Sequence, residues 1–397
     1  MSQTSSISPE PHGGPDYGEL AGLGLRPEDV LDFSASTNAF GPPPGVLAAL
    51  AACDVTRYPD RGAAPLAGAL AARDGVPADR VLAGNGAAGL IWALALAWLR
   101  PGDAAFVVGP TFGEYATASR LARAEVVEFD GIEASAGYFG LQERPAKASS
   151  PEDYPNIYSR CGGAFVPDIH ALAQAITAAR PRLIWLCNPN NPTGAYLSAA
   201  EIAALLPAAP DALWVLDEAY RPFVADPWPS ARLIERGNVA LLRSLTKDCA
   251  LPGVRLGYLL AGPDVIARVA AAQPPWSVSA AAIACGLAAL DDGRHVARTT
   301  AALRGEAIRL AGRLAGQGWR VLPSATHFML IEVGDAAGAR ATLLRQHRIQ
   351  VRNCASFGLP GFIRVAARLP EENDRLVSAM SRLRGESDRS RNKESSL

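Results

Sequence analysis

The sequence predicts an α/β fold with a mostly parallel sheet, followed by a smaller α+β unit. Three observations carry this. Short apolar runs alternate with helix-like segments up to about residue 290. Beyond that point a long helix pattern leads into several short strands. The chain has 397 residues and is 49% apolar, enough for one large or two medium domains with a sizeable core.

Residues 1–11 are polar, and "MSQTSSISPEPHGG" has neither a basic n-region nor an apolar h-region. No signal or transit peptide is expected, and the expected location is cytoplasmic. The runs Ala105–Val108, Leu183–Cys187, Leu213–Leu216, Val239–Leu242 and Leu256–Leu260 read as buried parallel strands. Ala171–Ala179 and Ser198–Leu206 read as helices between them. Residues 131–165 show no period and carry Gly, Ser and Pro, which marks a long loop or insertion. A helix is expected over Val296–Leu314, then strands at Arg320–Leu322, Phe328–Glu332, Ile349–Val351 and Phe362–Ala366. A closing helix over Glu371–Leu383 precedes a polar, mobile tail at 386–397. Domain limits follow at 1–50, 51–288 and 289–385.

Composition excludes several functions. The net charge is −1, which argues against a nucleic-acid binder. The apolar window Leu90–Leu99 is closed by Arg100-Pro101-Gly102-Asp103, too short to cross a bilayer. The cysteines at 53, 161, 187, 249, 285 and 354 form no CxxC pair and no metal spacing, so reduced thiols and no metal are expected.

The stretch "VLAGNGAAGL" (81–90) holds a GxGxxG at Gly84, Gly86 and Gly89. A dinucleotide site needs an acidic residue about 20 residues on, at the end of the next strand. The candidate, Asp103, precedes that strand instead. What survives is a strand, a glycine turn and a helix N-terminus, which together suit a phosphate.

Four more stretches lie at predicted strand ends, where open α/β sheets bind ligands: "CNPNNPTG" (187–194), "VLDEAY" (215–220), "LRSLTK" (242–247) and "LPGVRLGY" (251–258). Pyridoxal 5′-phosphate (PLP) needs a lysine, an acid against its ring nitrogen, donors to its phenolic oxygen and a phosphate cup. The set resembles the class I/II aminotransferase family, PLP enzymes of fold type I, over roughly residues 12–385. That resemblance implies a large domain with a mostly parallel seven-stranded sheet and a smaller C-terminal α+β domain. It implies that Lys247 carries the cofactor, that Asp217 pairs with the ring nitrogen, and that Asn191 and Tyr220 bond the phenolic oxygen. Ser244, Arg255 and the helix start at Gly86 and Ala87 would hold the phosphate. Tyr115 in "PTFGEY" would stack on the ring. Tyr58 in "RYPD" would reach the cofactor phosphate of a partner subunit, so a homodimer is expected.

"HGGPDYG" (12–18), "DFSASTNAFG" (32–41), "VRNCASF" (351–357) and "FIRVAAR" (362–368) narrow the resemblance to the threonine-phosphate decarboxylases of the cobalamin pathway. Histidinol-phosphate aminotransferases are the close relatives. By matched motif, Arg364 would bind the substrate carboxylate, and Arg352, His12 and Asn38 its phosphate. Residues 1–50 would form an arm over the site, too short and insufficiently basic for a DNA-binding module. His327 in "ATHFML" reads as structural. The chain departs from the family in Ala87-Ala88-Gly89, where an acidic or hydroxyl residue is usual, and in Ala39, where a proline is usual. Decarboxylation and transamination remain open at this point, because they differ in which Cα bond stands perpendicular to the cofactor ring.

Overall fold

Strands that are buried on both faces organise the molecule. The computed structural model describes residues 13–130 and 165–394, with side chains described for 13–129 and 165–385. His12 and nearly all of the 131–165 segment lie outside this range. In chain order the strands are β1 (Leu31–Asp32), β2 (Val81–Asn85), β3 (Ala104–Gly109), β4 (Glu125–Asp130), β5 (Leu183–Cys187), β6 (Leu213–Asp217), β7 (Val239–Ser244) and β8 (Leu256–Leu260). They are followed by β9 (Arg320–Val321), β10 (Phe328–Glu332), β11 (Ile349–Gln350), β12 (Arg352–Asn353) and β13 (Phe362–Ala366).

The large sheet has seven strands in the order β2-β8-β7-β6-β5-β3-β4. Its central strands alternate between two cores. Ile184, Leu186, Trp214, Leu216 and Leu241 face one side, and Trp185, Cys187, Val215, Ala240 and Leu242 face the other. This is the period of two expected of a strand covered by helices on both faces. The pairs β3–β4, β3–β5, β5–β6 and β6–β7 are parallel.

Leu256–Leu260 departs from expectation, since β8 runs antiparallel to both β7 and β2. An all-apolar run reads alike in either direction. Direction is set by the connection, and Leu245–Arg255 holds no crossover helix. The glycine-motif strand β2 lies at the sheet edge and pairs antiparallel, whereas a dinucleotide fold places that strand centrally among parallel neighbours. β4 was not legible as a strand because it is a polar edge.

The helices start where local chemistry allows. Asp168 caps Ile169–Ala179 by accepting from the His170 and Ala171 amides. Ser198 and Glu201 form a capping box for Ala199–Leu205. The closing helix runs from Pro370 to Glu394, so helix continues into the stretch expected as a mobile tail.

The second sheet, β12-β13-β10-β9, is wholly antiparallel. It packs with Leu310 and Leu314 of the helix Gly293–Gly316 and with Leu376 and Met380 of the closing helix. The run expected as one strand at Ile349–Val351 divides at Val351. Its first half, β11, pairs with β1 of the N-terminal segment, and the next two residues, β12, pair with β13. Tyr220 and Phe223 pack with Leu303, Phe328 and Ala366, joining the two sheets beside the strand ends. Among the described residues no helix is long and apolar enough to cross a membrane.

Candidate active site

Register brings the glycine turn and two strand ends to one corner. Gly84 and Ser244 both stand opposite Gly257. The helix Gly86–Trp98 starts there, and no side chain caps its first amides. Such unsatisfied N–H groups and the helix dipole favour an anion. Gly86 has a φ of +69°, and a Cβ there would lie 2.7 Å from the Arg255 guanidinium, so the arginine lies against the turn. The Ser244 and Thr246 hydroxyls are 2.7 Å apart in the same corner. Gly86, Ala87, Ser244 and Arg255 are thus brought together, and Thr246 joins them. Thr246 could have been suspected as the hydroxyl directly before Lys247.

Asp217 closes β6 and is buried. Its Oδ2 accepts from the Tyr115 hydroxyl at 2.6 Å and its Oδ1 from the Ala219 amide at 2.9 Å. Burial raises its pKa, while those two hydrogen bonds and the Lys247 charge pull it back. Behind it, Glu218 and Arg243 pair at 2.8 Å, and Arg243 reaches Asp74 at 2.9 Å. This ion network ties the end of β6 to the end of β7.

Lys247 follows β7, is half-buried, and has its Nζ 5.8 Å from the Tyr220 ring centre. Among the described residues no carboxylate pairs with Lys247 and no group bonds the Tyr220 hydroxyl. Among the described residues, the half-buried Lys247 amine and the Tyr220 hydroxyl beside one open site thus have no hydrogen-bond partner.

Tyr115 does not offer a face for stacking. It is 1% exposed, lies parallel to Trp185 at 5.2 Å, and meets Phe112 edge-on at 5.7 Å. Its place is behind Asp217. Phe112, three residues earlier in the same turn, is the half-buried aromatic. Asn38 is likewise corrected. It is 3% exposed, and its Nδ2 donates to the Asp248 carbonyl at 2.9 Å and to Thr299 at 2.8 Å. Its Oδ1 accepts from the Phe40 amide, and its own amide donates to the Lys247 carbonyl. No donor is left for a phosphate, and Asn38 instead anchors the N-terminal segment to the lysine loop.

Arg364 sits in the middle of β13 and is buried. Nη1 donates to Asn191 Oδ1, Nη2 donates to the Ser34 carbonyl at 2.7 Å, and Nε has no partner. Among the described residues no carboxylate neutralises it. Gly13 packs against this unit, and a Cβ there would lie 2.4 Å from the Ser34 oxygen. Gly14 donates to the Ser34 hydroxyl at 2.8 Å. Gly13-Gly14 and the "DFS" segment therefore meet at Arg364.

Arg352 stands directly opposite Arg364 in the β12–β13 ladder, so both side chains leave the same face. Arg352 is also buried and donates to Ser356 at 2.6 Å. It lines a cavity of 280 Å³ with Gly14, Ser34, Gln350 and Ser356. His327 is fully buried and stacked on Phe223 at 3.8 Å, and among the described residues neither ring nitrogen has a hydrogen bond of good geometry. Burial and the Arg364 and Lys247 charges hold its pKa down at about 3, so it stays neutral. Tyr58 is 80% exposed and packs on the half-exposed Trp276 at 4.6 Å, away from its own chain's core. Among the described residues no cluster of His, Cys, Asp and Glu has the makings of a metal site.

The sequence pattern of the family described as aminotransferase class I and II matches residues 28–137 and 155–380. Histidinol-phosphate aminotransferase of Symbiobacterium thermophilum is 35% identical over 368 residues, 92% of each chain. Histidinol-phosphate aminotransferase 1 of Thiobacillus denitrificans is 33% identical, over 94% of this chain and 91% of the relative. Among solved structures, L-threonine-O-3-phosphate decarboxylase from Porphyromonas gingivalis superposes with a TM-score of 0.72 at 25% identity, over 88% of this chain and 98% of that one. Histidinol-phosphate aminotransferase from Sinorhizobium meliloti, in complex with pyridoxal-5′-phosphate, gives 0.77 at 25% identity, over 93% and 95%. The chain has the fold of these enzymes and belongs to the class I and II aminotransferase family.

Proposed function

We propose that the chain is a PLP enzyme that decarboxylates L-threonine O-3-phosphate to (R)-1-amino-2-propanol O-2-phosphate. The observation that carries the substrate is the Arg352–Arg364 pair. Two buried arginines stand opposite each other in one ladder, and such a pair suits a ligand that carries two anionic groups. A small amino acid bearing a carboxylate and a phosphate on neighbouring carbons brings two anions to two guanidinium forks.

The residues fit the cofactor. The amides of Gly86 and Ala87, with Ser244, Thr246 and Arg255, form the phosphate cup. Asp217 would hold a proton on the ring nitrogen. Asn191, with Oδ1 engaged by Arg364, would offer its Nδ2 to the phenolic oxygen, as would the Tyr220 hydroxyl. Phe112 is the aromatic left to pack on the ring. The cofactor, when bound through Lys247, accepts the electron pair released as a bond to the substrate Cα breaks. Arg364 fixes the carboxylate that leaves as CO₂, and Lys247 Nζ delivers the proton that replaces it at Cα.

The relatives named as histidinol-phosphate aminotransferases favour a second reading, transamination of a phosphate-bearing amine. Incubating the PLP-loaded protein with L-threonine O-3-phosphate separates the two. Release of CO₂ and 1-amino-2-propanol phosphate without a keto acid supports decarboxylation. Glutamate formed only with 2-oxoglutarate supports transamination.

Tyr58 and Trp276, with Arg61 5.9 Å from the Trp276 ring centre, form an exposed aromatic face that suits a second copy. A homodimer, with Tyr58 serving the neighbouring site, accounts for that exposure. A monomeric mass in light scattering from fully active protein would contradict it.

A further inference from the structure

We infer that Tyr115 is a positioning residue that holds Asp217 ionised and oriented toward the cofactor ring. The inference rests on the PLP reading above. Asp217 is a buried carboxylate at 4% exposure, where a charge is costly without hydrogen-bond donors. Tyr115 supplies one of the two donors bonded to it, at 2.6 Å. The direction of that bond is set, because burial and the neighbouring Asp217 charge keep the Tyr115 hydroxyl protonated far above the ordinary tyrosine range.

The tyrosine is itself braced. Its ring lies on Trp185, with 10° between the ring planes. The Trp185 indole N–H donates to Ser119 Oγ at 3.1 Å, and that hydroxyl donates to the Tyr115 carbonyl at 2.7 Å. Tyr115 thus stands on a buried relay from β5 to the end of β6, without touching the open site. The titratable groups facing Asp217 are Tyr115, Lys247, Glu218 and Cys187. Of these, among the described residues, only Tyr115 hydrogen-bonds the carboxylate through its side chain, so removing its hydroxyl acts on Asp217 first.

Tyr115→Phe keeps the ring and its stack and removes only the donor. The expected result is about a tenfold loss of PLP affinity, the scale of one charge-assisted hydrogen bond. The acid midpoint of cofactor binding should also rise by about one pH unit, since a less stabilised carboxylate protonates earlier. The melting temperature of the cofactor-free protein should change little. In an Asp217→Asn background, Tyr115→Phe should have no further effect on affinity. Unchanged affinity and midpoint in Tyr115→Phe, with or without a loss of stability, would overturn the inference. So would an equal effect in the Asp217→Asn background. Ser119→Ala, which loosens the brace alone, should give a smaller shift of the same sign if Tyr115→Phe fails to fold, and no shift would overturn the inference. Wild-type protein that takes up no PLP would instead overturn the cofactor reading itself.

Discussion

The two ends of the site differ in how completely the protein satisfies its own charges. At the Asp217 end both Asp217 oxygens have a donor, and the neighbouring Glu218 and Asp74 pair with Arg243 and Arg73. At the Arg364 end a buried guanidinium has an unbonded Nε and no carboxylate among the described residues, and a second arginine stands opposite. A fully satisfied network rigidifies, whereas an unsatisfied one awaits a ligand. The first end is built to hold a fixed group in one orientation. The second is built to change its state when an anionic substrate arrives.

That contrast can be broken in steps. Lys247→Ala, between the two ends, should have the largest effect. The visible absorbance band of the PLP-loaded protein should vanish and turnover with it, and a retained band would remove Lys247 from its role. Arg364→Ala comes next. Losing a buried charged donor should cut kcat/KM about 10²- to 10³-fold, the scale of a desolvated charged contact. PLP affinity should move far less, and equal losses in both would place Arg364 at the cofactor end.

His327 sits where the ends meet and sharpens the comparison through pH. Its folded pKa is about 3, below the unfolded value of 6.5. The unfolded chain therefore binds the extra proton between those values, and its contribution to stability is present above pH 6.5 and lost as pH falls toward 3. His327→Phe should lose less unfolding free energy than wild type over that window, with a difference on the order of a few kcal/mol at the acid end. Parallel pH curves for the two proteins would contradict the burial of a neutral imidazole.

Much of this was legible in the sequence because it depends on short-range order. The strand ends carrying Asn191, Asp217, Ser244 and Lys247 follow from apolar runs and the residues that close them. What was not legible depends on distant partners or on turn geometry. Phe112 and Tyr115 are aromatics in one turn, and only the fold shows that Tyr115 goes under Asp217 and Phe112 stays at the edge. Asn38 reads as a ligand residue until Thr299 and Asp248 occupy its amide. The direction of β8 is invisible in an all-apolar run. The opposition of Arg352 and Arg364 needs the register of β12 on β13, which a break at Val351 sets.

That opposition is the centre of the account, and a substrate comparison tests it most directly. We would measure kcat/KM for L-threonine O-3-phosphate and for L-threonine in wild type and in Arg352→Ala. A second anion on a charged hydrogen-bonded arginine predicts a wild-type preference on the order of 10²-fold for the phosphorylated substrate, falling to within a few-fold in the variant. The same preference in both proteins would contradict a phosphate held by Arg352.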